Sequence, residues 1–357
     1  MALDRIALSN FRNHRQTELD GTARLNLLVG ENGAGKTNIL EALSLLAPGR
    51  GLRRAALSEL PGPAGAGFQI GASLFEQGPE SARIGTFLDP DRPGRRLVRV
   101  NGAEASAQSL GEWLAMGWLT PAMDGLFMDS AGARRRYMDR LALAVDPAHA
   151  RHVARFEAAL RERNKLLEDR NDAHWLDAIE AQLAEHGTSV TAGRIALVAA
   201  LVDELSALPD QPFAKPVLTY RPGGPIARED FRAELARQRP RDRAAGRTLA
   251  GPHRAELDVV MAGSGQPAAA GSTGAQTAMR IALTLAHATL AAEGRPGVLL
   301  LDEVAAHLDP VRRSALFERL RAGRAQVWLT GTELAPLEDI AGEAATWRVS
   351  AGSVERL

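Results

Sequence analysis

Apolar and polar positions follow a short period in the first third of the chain. Residues 5–8 alternate, 24–29 are mostly apolar, and 68–75 and 83–88 look like further runs of this kind. All four runs predict strands, because successive side chains of a strand face opposite sides. Residues 96–100 run into Asn101-Gly102, a pair suited to the positive φ angles of a tight turn, and this predicts a β-hairpin. Residues 61–67 read as a Gly/Pro loop. From about residue 134 to 208 the apolar spacing lengthens to three and four. Val153, Phe156, Leu160 and Leu167 share one helical face, and Leu176, Ile179, Leu183, Val190, Leu197, Leu201 and Leu205 share another. No proline falls between Pro147 and Pro209, so the block predicts long amphipathic helices folded back as a hairpin or arm. Residues 209–225 interrupt it, and 238–247 read as a basic, proline-containing loop. A strand is expected near 256–261, a loop at 261–274 and a helix of small and apolar residues at 275–292. Strand, helix and strand then follow at 298–301, 310–321 and 326–329. The order predicts an α/β head built from both chain ends, 1–120 and 245–357, with a mainly helical lobe inserted at 121–244.

Length agrees, since 357 residues suit about two domains. Lys+Arg and Asp+Glu are both 43, so a uniformly basic protein is excluded and any nucleic-acid contact must come from a local patch. Cysteine is absent, which removes disulfides, thiolate metal sites and a cysteine nucleophile. Neither a leader pattern nor an apolar run of roughly 18 residues is present. A cytoplasmic location without membrane attachment is therefore expected. Lys36, Lys165 and Lys215 are the only lysines. Arginine abundance then reflects compositional bias, and it weighs little by itself as evidence for nucleic-acid binding.

One motif changes the picture. Gly30, Glu31, Asn32, Gly33, Ala34, Gly35, Lys36 and Thr37 fit G-x-x-x-x-G-K-[ST], after an apolar strand and before a helical pattern with Ile39, Leu43 and Leu46 on one face. Glycines let such a loop curl so that its N–H groups converge on phosphates. Lys36 would place a charge on the β/γ-phosphates, and Thr37 would ligate Mg²⁺. The plainer alternative is a glycine-rich strand-to-helix turn; a chance match has odds of roughly 0.3%.

Residues 298–301 form a second apolar strand ending at Asp302-Glu303. Asp302 would help hold Mg²⁺ and Glu303 would orient and polarise the attacking water. Alone, the pair could equally be a helix cap. A third segment, Gly271-Ser272-Thr273-Gly274, opens a helix and could form an anion site or an ordinary N-cap. Its place 30 residues before Asp302 (302 − 272), with Asp309 shortly after, gives the layout of ABC-type ATPases. In those proteins the signature serine of one subunit closes on ATP held by another. Ser272 and Gly274 would then serve a second copy's nucleotide, Ser272 with a catalytic role beside Lys36 and Glu303, and Asp309 would line the same site.

The chain also resembles the RecF family of recombination mediators. Asn10-Phe11-Arg12-Asn13-His14 is similar to that family's N-terminal strand end, Arg134-Arg135-Arg136-Tyr137-Met138-Asp139 to its Arg-rich segment, and Gly251-Pro252-His253-Arg254 to its Gly-Pro-His-Arg block. It departs at Ala131-Gly132-Ala133, Ala255-Glu256 and Ala275. At 329–332, Leu-Thr-Gly-Thr stands where ABC transporters carry a phosphate-sensing histidine, which leaves Thr330 as the candidate sensor; Asp124 is the candidate for the glutamine-loop position. The resemblance implies an ABC-type P-loop ATPase head and a weak, DNA-stimulated ATPase that uses ATP and Mg²⁺. It further implies an ATP-driven homodimer at gapped or junction DNA, working with RecO and RecR to load the recombinase RecA during repair, replication restart and the SOS response. Arg53-Arg54, the arginines of 92–99, Arg134 to Arg136 and those of 238–247 are the candidate DNA contacts. Another ABC- or SMC-like head, or a transporter nucleotide-binding subunit, is the alternative. The 235 residues between Lys36 and Ser272 (272 − 36 − 1) count against the transporter.

Overall fold

The computed structural model describes residues 2–75, 82–92, 94–123, 125–168, 173–209 and 211–357. In chain order come β1 (Leu3–Phe11), β2 (His14–Leu19), β3 (Leu25–Val29), α1 (Lys36–Ser44), β4 (Phe68–Leu74), β5 (Arg83–Leu88), β6 (Arg96–Val100), β7 (Ala103–Ala105), α2 (Leu110–Trp113) and β8 (Ala115–Leu119). Next are α3 (Ala131–Val145), α4 (Ala148–Glu168), α5 (Ala173–Ala207), β9 (Pro216–Arg221), α6 (Arg228–Ala245) and β10 (Glu256–Met261). Then follow α7 (Thr273–Ala291), β11 (Gly297–Leu301), α8 (Pro310–Ala322), β12 (Gln326–Gly331), α9 (Glu338–Ala341), β13 (Ala345–Ser350) and β14 (Ser353–Arg356). No helix among the described residues is long and apolar enough to cross a membrane.

The chain folds into two units: Met1–Asp124 with Asp210–Phe213 and Arg280–Leu357, and Gly125–Pro209 with Ala214–Met279. The first holds two six-stranded sheets. One is antiparallel in the order β2-β1-β4-β5-β6-β7, and its β6–β7 turn has Asn101 and Gly102 both at positive φ, as that pair predicts. The other runs β14-β13-β3-β12-β11-β8, with every pair parallel except β13–β14. β11 is buried at all five positions, which explains its continuous apolar sequence. Ile39, Leu40 and Leu43 of α1 join residues of both sheets in one core.

The second unit packs α3 to α6 beside the β9–β10 pair. The apolar faces expected of 134–208 are those the helices bury, from Phe156 and Leu167 on α4 to Leu176, Leu183, Leu197 and Leu205 on α5. Between them lies Arg163, 0% exposed. Its guanidinium meets Glu180 at 3.0 Å, Asp242 at 2.7 Å, the Thr248 hydroxyl at 2.7 Å and the Leu235 carbonyl at 2.8 Å. A buried charge is tolerated when its donors are satisfied in this way.

That network corrects one expectation. Residues 238–245 are not a loop but the last turns of α6, which continues through Pro240 and stops at Gly246 with φ 62°. Buried Phe231, Leu235 and Asp242 hold the helix, so tertiary packing outweighs the proline's local cost. Residues 245–279 also differ from the expected division. They fold with the helical unit because β10 pairs with β9, Glu256 opposite Arg221 through Met261 opposite Pro216.

A second ion cluster is expected to make the stability of this unit depend on pH. Asp139 accepts from Arg194 at 2.8 Å through both oxygens and pairs with His149 Nε2 at 2.9 Å. Desolvation pushes the Asp139 carboxyl up, but its bonds to His149 and Arg194 outweigh this and hold it below the ordinary 3.8. A depressed carboxyl contributes stability above its unfolded pKa and loses it as pH falls through the folded value. Asp139→Asn is therefore expected to cost about 3 kcal/mol at neutral pH, leaving Arg194 buried without its counter-charge. The gap to wild type should shrink below roughly pH 4. Thermal unfolding at both pH values checks this; an unchanged gap would contradict it.

Candidate nucleotide site

Three parallel strands end at one edge. The register sets Val29 beside Gly331 and Leu301 beside Leu329, so the turns after β3, β11 and β12 are neighbours. Ligands of parallel α/β sheets gather at such carboxyl ends. The Gly30 amide donates to the Gly331 carbonyl at 3.2 Å, tying two of these turns together.

The loop after β3 is the segment that carries the G-x-x-x-x-G-K-[ST] motif, and it joins that strand to α1. Gly33 and Gly35 have φ of 80° and 118°, in the region that favours glycine. Glu31, Asn32 and Gly33 form an exposed tip, and a Cβ on Gly33 would meet nothing within 4 Å. Lys36, only 4% exposed, turns its ammonium inward to the carbonyls of Gly30 at 2.6 Å and Glu31 at 2.9 Å. Glu303 Oε1 lies 3.8 Å from the same ammonium.

Thr37 and Asp302, 265 residues apart, meet here. The Thr37 hydroxyl lies 2.9 and 3.2 Å from the two Asp302 oxygens. Asp302 is not a helix cap: the residue before the following 3-10 turn is Glu303, at φ 54°. Thr330, from β12, donates to Asp302 Oδ1 at 2.8 Å and accepts from the Glu303 amide at 2.9 Å. Its hydroxyl thus fixes the first acid and the backbone of the second, a link that no local sequence signal announces.

Behind α1, the buried carboxylate of Glu41 receives Arg12 through two 2.9 Å bonds and Arg53 Nη1 at 2.9 Å. This arrangement gives the Phe11-Arg12 block a structural role. Asp309 caps α8 by accepting from the Arg312 amide at 2.9 Å. Ser272 caps α7 by accepting from the Ala275 amide at 3.3 Å, and Gly274 lies exposed in the same turn. Buried Gln276 donates to the Gly271 carbonyl at 2.9 Å and holds that turn closed. Asp124 lies outside the described residues.

Several arginines of the candidate DNA clusters are engaged within the fold. Arg134 pairs with Glu256 at 2.8 Å, Arg135 donates to the Ala255 carbonyl at 2.8 Å, and Arg239 binds Glu180 and Asp177. Arg54, Arg92, Arg95, Arg136, Arg241 and Arg247 are exposed.

The family model for the RecF/RecN/SMC N terminal domain matches residues 2–340. The DNA replication and repair protein RecF of Brucella suis is 46% identical over 99% of this chain and 96% of its own length. Its namesake from Mesorhizobium japonicum is 43% identical over 99% and 97%. The solved structure of the recombination mediator protein RecF-ATPrS in the RecFOR pathway superposes with a TM-score of 0.87 at 23% identity, over 99% of this chain and 98% of that one. An SMC head bound to the C-winged helix domain of ScpA shares the fold at a TM-score of 0.59 and 14% identity, over 100% of this chain and 98% of that one. With that identity along nearly its whole length, and a phosphate loop that meets the Asp-Glu strand end in an ABC/SMC-type α/β head, this chain belongs to the RecF family of DNA replication and repair proteins.

Proposed function

We propose that the protein is an ATP-dependent DNA-binding protein of recombinational repair, a weak Mg²⁺-dependent ATPase that dimerises on ATP at gapped or junction DNA. The observation that carries this reading is the meeting of the Thr37 hydroxyl and the Asp302 carboxylate at 2.9 Å beside buried Lys36. Backbone amides of residues 33–37 and the Lys36 ammonium bind the phosphates, and Thr37 and Asp302 would hold Mg²⁺. The residues fit that ion. One hydroxyl and one carboxylate in contact, beside an open glycine tip, suit a cation that keeps water and phosphate oxygens as its other ligands. Among the described residues no cluster of three or more His, Cys, Asp or Glu makes a closed metal site. Bound Mg²⁺ would neutralise charge on the phosphates. Glu303, 31% exposed, orients and polarises the attacking water.

Ser272, Gly274 and Asp309 complete the site of a second copy, as the ABC layout requires. Hydrolysis then opens the dimer and releases DNA, with RecO and RecR assisting delivery of RecA in the cytoplasm. DNA contact falls to the exposed arginines and is electrostatic, since aromatic residues are only 4% and offer few stacking platforms.

The test is retention on gapped duplex DNA with ATP and with ADP across a salt series. Affinity with ATP should exceed that with ADP. It should fall with a log–log slope near −0.9 per phosphate neutralised, whatever the base sequence. Equal affinity with both nucleotides, or a flat salt response, would overturn the proposal.

A further inference from the structure

The carbonyl oxygens on the rear of the phosphate loop are held from outside it. Asn13 Nδ2 donates to the Ala34 carbonyl at 3.0 Å, and the Gly352 amide donates to the same oxygen at 2.9 Å. His14 Nε2 donates to the Gly35 carbonyl at 3.0 Å, beside the Ile39 amide that begins α1. A carbonyl can only accept, so Nε2 carries the ring proton. Burial lowers the ring's pKa below the ordinary 6.5, opposed by its backbone partners, which leaves it neutral at pH 7. Nδ1 lies 3.0 Å from the Thr17 hydroxyl, which itself lies 3.3 Å from the Gly352 carbonyl. Asn13 is aimed in turn by Asn38, whose Nδ2 donates to Asn13 Oδ1 at 2.7 Å.

The approach is close. A Cβ on Gly35 would lie 2.7 Å from His14 Nε2 and 2.8 Å from the Asn13 amide group. A Cβ on Gly352 would lie 2.1 Å from the Asn13 carbonyl oxygen, and one on Gly30 2.1 Å from the Val349 oxygen. The β1–β2 turn and the end of β13 therefore both press on the loop, and the β13–β14 turn packs against the β1–β2 turn.

A trans peptide group is planar, and its C=O and N–H point in opposite directions. Fixing the Ala34 oxygen fixes the direction of the Gly35 N–H, and fixing the Gly35 oxygen fixes that of the Lys36 N–H. We infer that Asn13, His14 and the Ala351-Gly352 turn are positioning residues of the nucleotide site, holding these carbonyls back so that the Gly35 and Lys36 amides face the phosphates. The inference rests on the ATP-site reading above. Preorganised amides avoid an ordering cost when the triphosphate arrives.

The test measures equilibrium binding of Mg-ATP and Mg-ADP to the full chain carrying Asn13→Asp, His14→Ala, His14→Gln or Lys36→Ala, with nucleotide-free thermal melts in parallel. Asn13→Asp keeps the size and the acceptor for Asn38 but loses the donor. His14→Gln keeps an N–H near the place of Nε2. Asn13→Asp and His14→Ala should each weaken both nucleotides about tenfold, the scale of one oriented hydrogen bond to a charged group. His14→Gln should recover binding to within roughly threefold of wild type. Wild-type affinity in Asn13→Asp and His14→Ala, with binding lost in Lys36→Ala, would overturn the positioning role alone. So would a loss that follows a lowered melting midpoint and is not rescued by His14→Gln. Wild-type affinity in Lys36→Ala would instead overturn the nucleotide-site reading.

Discussion

Lys36→Ala is expected to lower Mg-ATP affinity on the order of a hundredfold, and Glu303→Gln to leave affinity within about threefold while slowing hydrolysis at least about a hundredfold. The split follows from where the two side chains stand. Lys36 is buried, and its ammonium lies within 2.9 Å of the Gly30 and Glu31 carbonyls inside the loop itself. Its charge is thus held at the place where the loop amides would gather the phosphates, and an alanine leaves that charge unreplaced. Glu303 stands at the strand end, with its amide on Thr330 and its carboxylate partly open to solvent. It can act on a water without contributing much to holding the ground state, so its loss should appear in turnover. Competition binding gives the first quantity and phosphate release under saturating ATP the second. Lys36→Ala binding ATP as tightly as wild type would remove the assignment of the loop. Glu303→Gln hydrolysing at the wild-type rate would remove that of the base.

What is legible in the sequence follows the range of the interactions involved. Residues 30–37 carry their chemistry in consecutive positions, and β11 announces itself because all five of its residues are buried. The helical block is legible for the same reason, since Leu176, Ile179, Leu183 and Val190 repeat at helical spacing and all are buried. Residues 238–245 mislead because Pro240 and the arginines around it look like a surface loop, whereas Arg163 and Phe231 are needed to show a packed helix. The partners of the arginine runs are hidden in a related way. A count of charges does not show that Arg134 faces Glu256 or that Arg53 faces Glu41. Hydrogen bonds across long separations leave no trace in any window. Thr330 on Asp302 spans 28 residues, Thr37 on Asp302 spans 265, and Thr17 on the Gly352 carbonyl spans 335. The residues assigned chemistry at this site therefore stand out, while the bonds by which Asn13, His14 and Thr330 aim them emerge only from the fold.

Ser272→Arg should abolish ATP-dependent dimerisation while leaving ATP binding to the monomer within about threefold of wild type. Ser272 caps α7 in the second unit, and Lys36 lies in the first, 236 residues earlier (272 − 36). In the ABC layout a serine of this kind meets the γ-phosphate bound by another copy, at the positive end of its helix. Two such meetings would be buried in one interface, so ATP would favour the dimer by binding that state more tightly. An arginine there places bulk and an unmatched charge against the partner's loop, yet Ser272 is exposed and its substitution should spare the fold. Loss of its cap to the Ala275 amide costs helix stability on the order of 1 kcal/mol, and Ser272→Ala separates that effect from the interface. Sedimentation of Glu303→Gln, which should retain ATP, decides the matter. It should run as a dimer with ATP and as a monomer with ADP, and adding Ser272→Arg should return the ATP form to a monomer. Equal masses with the two nucleotides would reduce Ser272 and Gly274 to the start of a helix, and hydrolysis would then have no interface to open.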